Sequence, residues 1–290
     1  MTLLLISTPL LASEEVKWTE VAIPTQGKPG NWLLASGSDV QHLTMAIDGT
    51  LYAYGKGLTY TLYKSTDDGD TWSYIGDVRD AIVDIAIASD NPNIIYYATT
   101  ATVYRSTDGG KTFSSLPSGP GGAGSNNIEI TAIAITRLNN YIIDVATRDK
   151  DNAQFGGVYT LDETPVIPSW VNTGLAGYDV YALAFSPNYL ADRQLVAAVT
   201  DEADTFVMSK VGGAGWGATI GSARLDRDNS GTPTPVIVAN SAAIAFPGDY
   251  DATAADSLLF IAIDTGTGNG DVYQIAVAAV PASSVATDLN

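Results

Sequence analysis

An octet that returns after 41 residues constrains this chain more than any other feature. Ser65-Thr66-Asp67-Asp68-Gly69-Asp70-Thr71-Trp72 recurs as Ser106-Thr107-Asp108-Gly109-Gly110-Lys111-Thr112-Phe113, and its flanks recur with it: Thr61-Leu62-Tyr63-Lys64 before the first copy, Thr102-Val103-Tyr104-Arg105 before the second. A pair of β-patterned segments precedes each copy, Leu43 to Ile47 with Thr50 to Tyr54, then Ile82 to Ala88 with Ile94 to Thr99. Each unit is therefore four short strands. Three further units, spanning Ile130 to Thr173, Val180 to Ile220 and Ala242 to Asp288, keep the strands and lose the octet. Runs of Val, Ile, Thr and Tyr broken by Gly, Asp and Asn, with no sustained 3.6-residue periodicity, predict an all-β chain. Four-stranded units at a period of about 40 to 50 residues predict a β-propeller of antiparallel blades, each hiding its faces against its neighbours. The expected blades are approximately 40–78, 79–120, 128–175, 178–222 and 240–290.

The octet reads as a hairpin device. Gly69 and Gly110 supply the positive φ that a tight turn needs, and the carboxylates of Asp67 and Asp108 cap free turn amides. Ser65 and Ser106 open the turn, Thr71 and Thr112 add a hydroxyl, and Trp72 and Phe113 lead into the outer strand and point into the packing. The pattern resembles the BNR/Asp-box propellers, strongly over residues 40 to 117 and by strand spacing alone beyond them. That resemblance implies a structural turn on the outer side of the blade, away from any active site. It extends to bacterial surface-layer proteins that carry these repeats.

Composition sets the partners. Among 290 residues, 14 Lys+Arg stand against 32 Asp+Glu, for a formal charge of -18. Such a chain repels phosphate backbones and anionic headgroups, so no nucleic acid is expected as a partner. No cysteine and one histidine exclude disulfides, thiolate chemistry and a multi-histidine metal cage. Residues 1–13 form a short apolar run ending in small residues, too short to span a bilayer; it is similar to the end of a signal peptide, and the competing reading is an ordinary edge strand or hydrophobic amino end. No other apolar run is long enough for a span, so the mature chain is expected to be exported and to act outside the cell or at its surface. Residues 16–24 read as an orphan outermost strand without the three inner strands of its blade. Two readings fit: the chain is part of a six- or seven-bladed ring, or a five-bladed ring closes with Trp18 to Ile23.

Chemistry is less legible. Sialidases of this kind need an arginine triad, and the seven arginines here lie in no sialidase-like motif. Xyloglucan-cleaving propellers use two facing carboxylates, which 32 acidic residues permit and no motif singles out. Photosystem assembly propellers with the same boxes carry arginine patches, and Arg105, in the place of Lys64 one unit earlier, reads as a solvated strand end. His42 opens an inner strand, where a lone histidine reads as a packing or surface residue. Gly119 to Ser125 reads as an inter-blade loop. Asp226-Arg227-Asp228-Asn229-Ser230-Gly231 matches the opening of a calcium loop, with Asp226, Asp228 and Ser230 as ligands, but its twelfth position is Ile237. The other reading of this loop is a plain Asx-rich turn, so no cofactor is fixed by the sequence and calcium is the candidate. The sequence reading is a non-enzymatic surface-layer or envelope protein that meets other envelope proteins, copies of itself or glycans; the alternative is a secreted glycoside hydrolase.

Overall fold

A computed structural model describes residues 39–289, apart from 57–59, 76–77, 79–80, 126, 228–233, 255–256 and 269. The expected signal remnant at 1–13 and the orphan strand at 16–24 lie outside the described residues. Twenty strands form five four-stranded antiparallel sheets arranged as a β-propeller. The first blade holds β1 (Asp39–Met45), β2 (Leu51–Lys56), β3 (Leu62–Ser65) and β4 (Ser73–Tyr74). The second holds β5 (Asp84–Ile87), β6 (Ile95–Ala98), β7 (Val103–Ser106) and β8 (Ser114–Ser115). The third holds β9 (Ile128–Arg137), β10 (Tyr141–Asp149), β11 (Gly157–Asp162) and β12 (Val171–Asn172). The fourth holds β13 (Asp179–Phe185), β14 (Gln194–Thr200), β15 (Thr205–Val211) and β16 (Ala223–Arg224), with a single helical turn, α1 (Tyr189–Asp192), between β13 and β14. The fifth holds β17 (Ser241–Ala245), β18 (Leu258–Asp264), β19 (Asp271–Ala276) and β20 (Val285–Asp288). Each sheet runs in chain order, as consecutive hairpins require.

The sequence places the fourth outer strand at Trp216 to Ile220, and the structure moves it to Ala223–Arg224. The cause is Ser209. Its carbonyl takes the amides of Gly217 and Ala218, and its hydroxyl takes those of Thr219 and Ile220, so residues 216–220 wrap around one residue instead of forming a ladder. Of the expected pairing there remain a Lys210–Trp216 bridge and the bond from the Ser209 amide to the Ile220 carbonyl at 3.2 Å.

Strand alternation gives every sheet two apolar faces, and four clusters use them to join successive blades. Tyr52, Tyr54 and Leu62 of the first blade meet Ile85, Ile95 and Tyr97 of the second. Tyr96, Ala98 and Val103 then meet Ile143, Val145 and Leu161 of the third. Ala132, Ala146 and Val158 meet Leu183, Ala197 and Val199 of the fourth, and Val196, Val207 and Leu225 meet Leu259, Ile261 and Ile275 of the fifth. Among the described residues, the remaining apolar cluster lies within the first blade, where Trp72 folds over Ala53 and Tyr63.

Polar ties supplement these cores. Asp84 at the start of β5 accepts the Ile133 amide of the third blade at 2.9 Å, and the Val238 amide donates to the Thr205 hydroxyl at 2.9 Å. Arg105 is not simply solvated: it pairs with Glu163 of the third blade at 3.2 Å and lies against the rings of Tyr96 and Tyr141.

Candidate functional site

The two octets close as turns of the same construction. Ser65 Oγ donates to Asp67 Oδ1 at 2.7 Å and accepts the Gly69 amide at 2.9 Å, while Asp67 accepts the Thr71 amide at 2.9 Å and also the Thr71 hydroxyl. Ser106, Asp108, Gly110 and Thr112 repeat every one of these bonds. Gly69 and Gly110 stand at φ 92° and 88°, conformations that exclude most side chains. Hydrogen bonds from the Thr112 amide and hydroxyl and from Ser106 hold the Asp108 carboxyl down to about 2, and a matching set lowers that of Asp67. The indole of Trp72 donates to the Gly69 carbonyl at 3.0 Å, whereas Phe113 packs edge-on against Tyr97. All ten residues serve the β3–β4 and β7–β8 hairpins at the outer side of their blades.

Ser106 is buried, and its oxygen is the partner of the Gly110 amide. Ser106→Ala is expected to destabilise the protein by about 1–3 kcal/mol, the cost of orphaning a buried amide. Urea denaturation of the variant against the parent protein measures it.

A charged cleft lies elsewhere, at the end of the propeller where inner strands begin. Here a cleft of about 610 Å³ opens between the third, fourth and fifth blades, lined by Arg148, Lys150, Asp179, Tyr181 and Glu202, with Val238 and Ala239 as its far wall. Arg148 and Lys150 sit at the end of β10, the one strand end in the cleft that carries two cations in an acidic chain. Both reach Glu129 on β9: Arg148 through Nε at 2.7 Å and Nη2, Lys150 through Nζ at 2.6 Å. Burial pushes the Glu129 carboxyl up, but the bonds and charges of Lys150 and Arg148 outweigh it and leave it below its ordinary value. Arg148 Nη1 also donates to Tyr181 Oη at 3.1 Å and to the Ala239 carbonyl at 3.4 Å, so one guanidinium spans three blades.

Asp179 opens β13 and closes the cleft floor. Its Oδ1 accepts the amides of Asp149 at 2.8 Å and Gly156 at 2.9 Å, tying the fourth blade to the β10–β11 loop. Desolvation raises its carboxyl, only partly offset by those two amides, and the charges of Glu202 and Asp149 raise it further. Glu202 accepts the Ala153 amide at 2.8 Å, and Asp149 accepts that of Asp151 at 2.9 Å.

Backbone strain gathers on the same rim. Five described non-glycine residues have positive φ, and Asn127 (65°), Ala153 (61°) and Glu202 (68°) are three of them. Ala153 and Glu202 are bonded to each other, while the Asn127 side chain donates to Asp151 at 2.8 Å. Left-handed non-glycine residues cost free energy and persist where surrounding structure holds them, a pattern concentrated at binding sites. A smaller cleft of about 280 Å³ lies beyond Val236 to Ala239, with Thr265 and Thr267 on its other side.

Of the sequence-predicted calcium ligands, Asp226 spends Oδ1 on the Thr234 amide at 2.9 Å, and Asp228 and Ser230 lie outside the described residues. Among the described residues, no three His, Asp or Glu side chains converge as a metal group. His42 is half-buried against Tyr54, and burial followed by the charge of Lys56 lowers its imidazole. No described helix is long and apolar enough to cross a membrane.

No family model matches the chain, and no curated protein matches it in sequence. In fold it is similar to a GH74 xyloglucanase from Xanthomonas campestris, with TM-score 0.56 and 14% identity over 85% of this chain and 38% of that one. It is likewise similar to an ancestral GH74 enzyme, with TM-score 0.54 and 17% identity over 87% and 31%. The chain thus spans well under half the length of either. YCF48 bound to D1 peptide aligns at TM-score 0.49 and 12% identity over 89% of this chain and 68% of that one. At these identities the shared property is the β-propeller fold.

Proposed function

We propose that the chain is a non-enzymatic propeller of the cell surface, a surface-layer or envelope component of the BNR/Asp-box kind, and that the cleft at its inner-strand end is a binding surface. The observation that carries the non-enzymatic part is the engagement of every carboxylate at the cleft. Glu129 is held by two cations, Asp179 by two amides, and Glu202 and Asp149 by one amide each. Such carboxylates fix loops in place and leave Asn152 and the exposed side of the paired Lys150 to face a ligand. A glycan or a protein loop matches a polar, charged cleft of this size. The export-like amino end, the -18 charge and the lack of cysteine support a place outside the cell, where divalent cations bridge acidic surfaces.

One observation favours a glycoside hydrolase instead: burial holds the Asp179 carboxyl above its ordinary value and the neighbouring charge of Glu202 raises it further, the condition a general acid requires. The two readings part in one comparison. A surface-layer protein is expected to dominate cell-envelope extracts and to assemble into sheets with calcium, and to release no reducing sugar from a polysaccharide panel. Sugar release that Asp179→Asn abolishes would overturn the non-enzymatic reading.

A further inference from the structure

The first blade presents a face whose counterpart on the second blade is covered. Strand register makes the two faces equivalent: Leu43 pairs with Ala53 and Ala53 with Tyr63, as Ile85 pairs with Tyr97 and Tyr97 with Tyr104; Met45 pairs with Leu51 as Ile87 pairs with Ile95. On the second blade this face packs on the first, and Ile85 is 6% exposed. On the first blade the equivalent Leu43 and Met45 are 62% and 68% exposed.

What covers the second blade's face includes a short segment just after the first octet. Ile75 and Val78 join the cluster, and the methyl end of Ile75 fills the notch at Gly110, 2.4 Å from where a Cβ would stand, with the end of Ile95 at 3.5 Å. The first blade has the same notch. At Gly69 the end of Leu51 stands at 3.5 Å, and the Trp72 ring, at 3.8 Å, completes its wall. The notch needs an aliphatic side chain, supplied from the stretch that leads into the inner strand.

This chain carries such a stretch. Ile75 precedes Ile85 by ten residues, and ten residues before Leu43 is Leu33, within Trp32-Leu33-Leu34. We infer that the Trp32–Leu34 segment docks on the open face of the first blade, with Leu33 or Leu34 seated in the notch of Gly69, Leu51 and Trp72 as Ile75 is seated one blade on. The occupant is this chain's own segment and not a second copy, because the chain enters β1 directly from it, as it enters β5 from the Ile75 segment.

Engineered cysteines test the contact in the full chain, which has none of its own. Leu33→Cys or Leu34→Cys is combined with Leu51→Cys, and Ile75→Cys with Ile95→Cys serves as the reference one blade on. A disulfide within the monomer in at least one amino-terminal pair, at a yield near that of the reference, is expected on mild oxidation. Reference crosslinking without either amino-terminal pair overturns the inference, and so does a crosslinked dimer, which would put a second copy on this face. Hydrogen exchange decides it independently of crosslinking. Leu33→Asp with Leu34→Asp is expected to speed exchange in β1 and β2 at least tenfold and to leave β13 to β15 unchanged, and unchanged exchange in β1 and β2 overturns the inference.

Discussion

Replacing Asp144 with asparagine is expected to stabilise the protein by about 3 kcal/mol at pH 8 and by much less at pH 5, since each unit of pKa displacement is worth about 1.4 kcal/mol. Asp144 sits in the middle of β10 on the face turned to the fourth blade, 4% exposed, with Oδ1 buried and unpartnered. Burial pushes its carboxyl up to about 7, against smaller opposing contributions from the Thr160 hydroxyl and the charge of Lys210. The folded state therefore holds a proton that the unfolded chain, with an ordinary carboxyl near 3.8, has already released. That contribution is complete below pH 3.8 and is lost as pH rises through about 7. Asparagine keeps the shape and never ionises. Urea denaturation of both proteins at pH 5 and pH 8 reads the effect, and an equal gain at the two pH values would show that ionisation is not its source. Asp84, pushed up to about 6 by burial, makes the instructive contrast. Its two oxygens accept the amides of Ile85 and Ile133, so an asparagine there sets donor against donor and forfeits the gain.

Gly156→Ala is expected to lower stability by about 3 kcal/mol, at the upper end of overpacking penalties, and to widen the charged cleft. A Cβ at this position would stand 2.2 Å from the Thr147 carbonyl oxygen and 2.7 Å from Arg148 Cα, both backbone atoms that no rotamer change can move aside. Relief requires the β10–β11 loop to shift, which breaks the Gly156 amide bond to Asp179 and displaces Arg148. Gly213→Ala is the matched control, since its Cβ meets nothing within 4 Å and its φ is not positive. Thermal denaturation of the pair measures the difference, and equal melting temperatures would remove Gly156 as a cause of the loop's position.

What could be read in the sequence was local or periodic. The octet encodes its own hydrogen bonds within eight residues, so its turn, its two glycines and its side-chain partners follow from residue types alone. The blade repeat was legible because four strands recur at a spacing that only stacking explains. The charged cleft was not, because Arg148, Asp179, Glu202 and Ala239 come from strand ends and loops of three blades that meet only when blades stack. Its one sequence signal is the Arg148-Asp149-Lys150-Asp151-Asn152 run in the long β10–β11 connection, unlike the shorter connection at Asp201 to Asp204. The misplaced fourth outer strand has a similar cause, a serine that collects amides from the residues expected to pair.

The stacking of blades through successive shared cores has a mechanical meaning. In a series of units joined only to their neighbours, the free energy of losing a unit depends on how many interfaces it holds. Among the described residues, the first and fifth blades each share one apolar cluster with a neighbour and the middle three share two. Within that series a defect at the first or fifth blade touches one shared core, whereas a defect at the junction of the third and fourth parts the described blades into groups of three and two. Asp144 and Gly156 both stand at that junction, so the protein keeps a buried acid and a tightly enclosed glycine at one of the two junctions where a single failure separates two described blades from three.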